Sequence, residues 1–199
     1  MAKILLIRLR LIGDVVFTTP AIRAIRRTLP DARLSYLVEP AAFPVVADNP
    51  HLDDVIRVER QSGVHRVVGD LALARRLRRD AYDVVIDFHG GPRASWLTRA
   101  TGAPIRIGYA IPGRSWHYTR VVDRAADLRP RHSVVNQWDL LASLDPRLSK
   151  APDPADDRVE MPESPAAAAR VGARLAEAGV TAGHRLIVVH VSAGNPFRR

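Results

Sequence analysis

Seven consecutive residues near the start of the chain, Arg8-Leu9-Arg10-Leu11-Ile12-Gly13-Asp14, bring together two guanidinium groups, a glycine and a carboxylate. The aliphatic run from Lys3 to Leu9 that leads into them has strand length, and a run apolar at nearly every position suits a parallel strand buried on both faces. Ligands of open α/β sheets bind beyond the carboxyl ends of the strands, so these residues fall where a site is expected. Gly13 lets the chain turn into a helix predicted from Asp14 to Leu29, with Asp14 at its start. That carboxylate has two readings: it caps the helix, favoured there by the dipole, or it faces a ligand. A single glycine stands where Gly-x-Gly-x-x-Gly would need three to admit a dinucleotide pyrophosphate, which argues against hydride transfer.

Other residues share this edge. His89 follows the buried run Asp83 to Phe88 and precedes Gly90-Gly91, so it either bonds a ligand or serves the loop. Arg60, after the third strand, is a second guanidinium candidate, with a solvated surface residue as its alternative. Ser192-Ala193-Gly194 follows the strand-like Arg185 to Val191, and its backbone N–H groups and hydroxyl can cradle phosphate oxygens. The histidines give no metal set: no two have helix-borne zinc spacing, and His51, His65, His117, His132 and His184 read as surface residues. Asp156-Asp157 reads as a solvated acidic pair in a proline-rich stretch. No metal is expected. Trp138 and Trp96 read as packed, and Trp116 as a loop residue suited to ligand or membrane-surface contact. Arg75, Arg76, Arg78 and Arg79 form a basic helix face able to meet anionic lipid headgroups or plain solvent.

The elements that must position these groups alternate. Strands are predicted at Lys3–Leu9, Arg33–Val38, Val55–Val58, Asp83–Phe88 and Ile105–Tyr109, and helices at Asp14–Leu29, Ala41–Ala47, Asp70–Arg79, Ala94–Ala100 and Ser133–Leu144. This is the pattern of an α/β, Rossmann-like, doubly wound parallel sheet over residues 1–145. A proline-rich, acidic linker is placed at 146–165. Residues 166–199, with a helix at Ala166–Ala178 and one further strand, are read as the first elements of an incomplete second domain, since one helix and one strand cannot close a core.

Composition sets the outer bounds. The 199 residues are 47% hydrophobic, enough for a full-sized core, and contain no cysteine for a disulfide, thiolate site or nucleophile. No apolar run approaches the roughly 20 residues of a membrane span, and no secretory signal precedes the first strand, so a cytoplasmic location is expected. The formal charge of +9 comes almost wholly from arginines scattered along the chain. Without interleaved basic and aromatic residues it does not indicate nucleic-acid binding.

Four stretches carry a resemblance. Gly13-Asp14-Val15-Val16-Phe17-Thr18-Thr19-Pro20-Ala21, with the residues that follow to Glu39, is similar to the opening signature of the lipopolysaccharide heptosyltransferases of glycosyltransferase family 9. Asp87-Phe88-His89-Gly90-Gly91 with Arg93-Ala94-Ser95 resembles the family's second conserved stretch, Ile107-Gly108-Tyr109 its third, and Val189 to Arg198 the start of its second domain. The resemblance implies the N-terminal, acceptor-side domain of a GT-B architecture. It implies transfer of heptose from an ADP-heptose donor to an anionic lipopolysaccharide inner-core acceptor, by inverting displacement and with no cofactor. Asp14 then matches the proposed general base, and Arg120, with Arg8, Arg10, Arg60 and His89, falls to acceptor binding. Ser192, Gly194 and Arg198 fall to the donor phosphates, with arginine standing where many members carry lysine. A peripheral place at the inner membrane surface follows from a lipid-anchored acceptor. The alternatives are a GT-B transferase using another nucleotide sugar and a noncatalytic binding module.

Overall fold

Alternate residues of the first strand point to opposite faces, and both faces are covered by apolar side chains. In the computed structural model, which describes residues 1–59, 62–124 and 131–189, strand β1 spans Lys3–Ile7. Ile4 and Leu6 enter one hydrophobic core, Leu5 and Ile7 the other. Five more strands join it: β2 (Arg33–Val38), β3 (Asp54–Arg57), β4 (Val84–Asp87), β5 (Ile105–Tyr109) and β6 (Arg120–Val122). All neighbours are parallel and the order is β3-β2-β1-β4-β5-β6, the doubly wound arrangement expected from the sequence. The order reverses beside β1, so the crevice at the switch point opens between the ends of β1 and β4.

Helices α1 (Ile12–Val16), α2 (Thr19–Thr28) and α3 (Phe43–Val46) cover one face through Val15, Ile22, Ile25, Val45 and Val46. Helix α6 (Ser133–Trp138) adds the buried Trp138 to that side. Helices α4 (Gly63–Asp80) and α5 (Pro92–Ala100) cover the other face through Ala74, Leu77, Ala94 and Leu97.

The structure departs from the predicted elements at several points. The single helix expected from Asp14 to Leu29 is two. Pro20 has no N–H for the Val16 carbonyl, and the Thr19 hydroxyl bonds that oxygen instead at 2.8 Å. The Thr18 hydroxyl likewise donates to the Val15 carbonyl at 2.6 Å. Helix α4 starts seven residues before the predicted Asp70; its first two turns carry exposed valines rather than a buried stripe, so the spacing does not mark them. The helix predicted to Leu144 ends at Trp138 and continues as a 3₁₀ turn at Leu141–Ser143. Strand β6, too short for periodicity to reveal, was not predicted.

The chain divides into two compact units, Met1–Pro162 and Glu163–Arg199. Within 146–165 the residues as far as Pro162 pack on the first unit: the Glu160 N–H donates to the Thr19 hydroxyl at 2.9 Å, and Arg23 pairs with the Glu160 carboxylate. Asp157, expected to be solvated, is buried and accepts from Arg27 at 3.2 Å and from the Asp153 N–H at 2.9 Å. In the second unit α7 (Pro165–Glu177) is capped by Ser164, whose hydroxyl accepts the Ala167 N–H. The strand predicted from Arg185 to Val191 is not formed in its described part: residues 185–189 are exposed and pair with no strand among the described residues. A parallel strand needs a neighbour for its backbone groups, and the described residues of that unit supply none.

Candidate functional site

Beyond Ile7 the chain stays within reach of its neighbours, with the Phe88 N–H on the Ile7 carbonyl at 3.0 Å and the Glu39 N–H on the Leu9 carbonyl at 2.8 Å. Arg8 and Leu9 are therefore held as rigidly as the sheet. The tight turn into α1 is made by Leu11, not by Gly13: Leu11 is exposed with φ 66°, a conformation uncommon for a side chain of its size. Gly13 lies inside α1, and a methyl group there would meet open space.

Asp14 is not a helix cap. It occupies the first turn of α1, and its carboxylate Oδ2 accepts from the Arg8 guanidinium, whose other terminal nitrogen donates to the Phe88 carbonyl. Arg8 thus bridges the ends of β1 and β4 and fixes the carboxylate over the switch point. Among the described residues no hydrogen bond reaches the second Asp14 oxygen. The Asp14 carbonyl is held by the Gln137 side-chain amide at 3.2 Å, which ties α1 to α6. Arg8 and Asp14 are each about one-sixth to one-quarter exposed, 14% and 27%, so the pair faces a crevice rather than bulk water.

That crevice has a volume of about 280 Å³, and Tyr109, Arg124, Arg131, Asn136 and Asp139 complete its wall. Arg131 forks onto Asp139 at 2.7 and 3.1 Å. The Arg124 guanidinium lies over the Tyr109 ring, 4.7 Å from its centroid. The Tyr109 hydroxyl donates to the Asn136 carbonyl, and burial pushes its pKa up, so it stays a neutral phenol. Three guanidinium groups against two carboxylates, Asp14 and Asp139, leave the crevice net cationic, which suits an anionic ligand that also presents a hydroxyl to Asp14.

A second crevice of about 290 Å³ opens on the other side of His89 and is lined by Arg10, Glu39, Arg66 and Arg93 among others. Burial pushes the His89 imidazole down to about 4, helped by Arg8 and Arg10, so the ring is neutral at physiological pH. Its Nδ1 is buried without a hydrogen-bond partner. The loop that carries His89 is pinned from beneath. Asp87 is fully buried, and its Oδ1 accepts the His89 and Gly90 N–H groups, each at 2.8 Å. Its Oδ2 accepts the Tyr118 hydroxyl at 2.7 Å, and that hydroxyl lies 2.8 Å from Ser95 Oγ. Burial pushes the Asp87 pKa up against these three donors. Gly90 takes φ 65°, and Gly108 admits the Tyr118 ring, since a methyl group there would stand 2.4 Å from it.

The family model for glycosyltransferase family 9 (heptosyltransferase) matches residues 71–189, more than half of the chain. The chain belongs to glycosyltransferase family 9. Lipopolysaccharide heptosyltransferase 1 of Pseudomonas aeruginosa is 29% identical over 106 residues, half of this chain and 30% of the relative. Lipopolysaccharide heptosyltransferase 3 of Escherichia coli is 24% identical over 101 residues, again half of this chain and 30% of the relative. A glycosyltransferase family 9 structure from Veillonella parvula superposes with a TM-score of 0.81 at 22% identity, covering 98% of this chain and 54% of that one. Escherichia coli heptosyltransferase WaaC with ADP-2-deoxy-2-fluoro heptose gives 0.61 at 22% identity, covering 71% and 47%. At these identities the superpositions establish fold, a Rossmann-like half of a GT-B architecture, and the chain spans about half the length of the solved relatives. No helix among the described residues is long and apolar enough to cross a membrane.

Within this family 9 chain the structure brings together Asp14 and Arg8, with His89 and Arg10 on the adjoining crevice. Arg120 is elsewhere. It opens the edge strand β6 in register with Ile107, does not line the crevice with Asp14, and its guanidinium donates to the Ser143 carbonyl. Arg60, Ser192, Gly194 and Arg198 lie outside the described residues. Arg124 and Arg131 were missed because they stand outside every predicted element, and Asp139 because it lies in the helix predicted from Ser133 to Leu144, where spacing marks only the apolar face; only Tyr109, inside the Ile107-Gly108-Tyr109 stretch, carried a sequence signal. His117, read as a surface residue, is buried, and the exposed Trp116 stacks on it at 3.8 Å with Arg99 5.5 Å from the indole. Trp96, read as packed, is exposed.

Proposed function

We propose that this chain is the acceptor-binding part of a transferase that moves heptose from ADP-heptose to the inner core of lipopolysaccharide, with Asp14 as general base. The observation that carries the reading is the Arg8–Asp14 pair, fixed at the switch point of the sheet in an arginine-lined crevice. Arg8 holds one carboxylate oxygen and leaves the other for an acceptor hydroxyl. As the acceptor oxygen attacks the anomeric carbon, its proton passes to that free oxygen. The bond from the anomeric carbon to the donor phosphate breaks on the opposite side, and ADP leaves with inverted configuration at the sugar. Arg124 and Arg131 supply charge for acceptor phosphates and carboxylates, and the neutral His89 offers a ring nitrogen in the adjoining crevice. No cofactor or metal is required by this scheme. Ser192, Gly194 and Arg198 are assigned to the donor pyrophosphate, and the protein to the cytoplasmic side of the inner membrane, where its acceptor is anchored.

The test is Asp14→Asn in a protein that joins this chain to a complete nucleotide-sugar domain. Transfer from ADP-heptose should fall at least 1,000-fold, while binding of a phosphorylated core oligosaccharide to the crevice changes little. Retained turnover would refute the assignment of the base.

A further inference from the structure

Helix α4 buries one stripe and leaves the opposite stripe bare. Ala74 and Leu77 face the core, with Leu73 packed against it. On the far side Val64, Val67, Val68 and Leu71 recur at helical spacing, each between 41% and 76% exposed. The same stripe runs on through Arg75 and Arg78, with Arg79 at its border, and these three arginines line one shallow surface depression. Trp96 of α5 joins the apolar half: it is 37% exposed and shares a groove with Val67 and Leu71. One helix face is therefore apolar over its first two turns and cationic over the rest. The apolar end is the one next to the carboxyl ends of the strands, where the crevice with Asp14 opens.

Four bare aliphatic residues and an indole are unfavourable against water, and no described residue of the first unit covers them. Three guanidinium groups in line with them narrow the choice of what does, since an apolar protein partner would leave that charge unanswered. A helix with aliphatic and aromatic residues on its outer face and arginines beside them suits the boundary between acyl chains and anionic headgroups. We propose that the outer face of α4, with Trp96, docks the protein on an anionic lipid bilayer. The apolar half enters the acyl boundary, Arg75, Arg78 and Arg79 lie among the headgroups, and the crevice is held at the membrane surface. The inference deepens the reading of a lipid-anchored acceptor, but the surface chemistry can be measured without turnover.

The experiment is flotation of the 199-residue protein with vesicles of phosphatidylethanolamine and phosphatidylglycerol, against phosphatidylcholine alone. Binding is expected only with the anionic lipid. Replacing Arg75, Arg78 and Arg79 by Gln should weaken it about fivefold per residue at low salt. Val67→Asp with Leu71→Asp should weaken it at least tenfold at any salt, both sites being exposed and the far-UV spectrum unchanged. In a Trp116→Phe background, brominated acyl chains should quench the Trp96 emission. Undiminished binding by the double aspartate variant would overturn the proposal. So would a wild-type chain that sediments as a dimer dissociated by those aspartates, because the face would then meet a second copy. In a protein completed with a donor domain, the same variants should still transfer sugar to a water-soluble core oligosaccharide. Vesicle binding by a wild type that transfers nothing supports the docking face while counting against the enzyme reading.

Discussion

Tyr118→Phe removes one oxygen from the chain, and the structure says what that oxygen holds. It donates to Asp87 Oδ2 at 2.7 Å, where it is the sole donor among the described residues, while Oδ1 keeps its two backbone N–H groups. The carboxylate is fully buried, so water cannot replace the lost donor. A hydrogen bond to a buried charged group contributes about 1.5–3 kcal/mol, and the phenylalanine ring fits the space beside Gly108 without repacking. We expect a loss of about 2 kcal/mol near neutral pH. The loss should vary with pH. Asp87 has a folded pKa above its unfolded value, so its contribution to stability is fullest below the unfolded pKa and declines as pH rises through the folded one. Removing a donor that favours the ionised form raises the folded pKa further and widens that window. The difference between variant and wild type should therefore be smallest in acid and grow toward neutral pH. Urea titrations followed by far-UV circular dichroism at pH 5 and pH 8 measure it: with a slope of roughly 2 kcal/mol per molar urea, the midpoint at pH 8 should fall by about 1 M. A shift below about 0.2 M, or one equal at both pH values, would refute the argument that this hydroxyl supports the charge beneath the His89 loop.

Two further expectations rest on other parts of the fold. Because the folded His89 pKa lies near 4, below its unfolded value, stability should rise with pH between about 4 and 6.5 and decline as pH falls through that range. His89→Gln should remove about 1 kcal/mol of that dependence, a figure reduced for the partial exposure of the ring, and parallel pH–stability curves for the two proteins would refute it. Ala81 ends α4 in the left-handed region with φ 52°, so Ala81→Gly should relieve roughly 1 kcal/mol of strain against a smaller entropic cost. Calorimetry should show a rise in Tm of about 1–2 °C, and a fall would contradict it.

The layers of the fold could be read from the chain because β1, β2 and β4 are buried on both faces. A run such as Ile4-Leu5-Leu6-Ile7 admits few other placements. The start of α4 could not, since periodicity reports burial and its first two turns are bare. The break at Thr18 was visible in principle. Pro20 removes the N–H that a continuous helix needs, but the threonine hydroxyls that complete the turn act through geometry that spacing does not encode. Strand β6 has three residues, too few for any alternation to register.

The site divides along the same physical line. Asp14, Arg8, Arg10 and His89 sit within a few residues of a strand end, and a parallel sheet places its strand ends by topology alone, so their proximity follows once the strands are known. Arg120 shows what happens without that anchor. It belongs to a three-residue edge strand too short to predict, and its charge serves the Ser143 carbonyl. The cations that do face Asp14 from that side of the sheet are Arg124, just beyond the same strand, and Arg131, before α6. Arg120 lies one residue before the level of Ile7 and Asp87, on the edge strand, and does not line the crevice; Arg124, two residues beyond that strand, does. The Arg8–Asp14 pair thus shares its crevice with two cations that its own segment does not supply, and under the proposed function acceptor contact on this wall falls to Arg124 and Arg131.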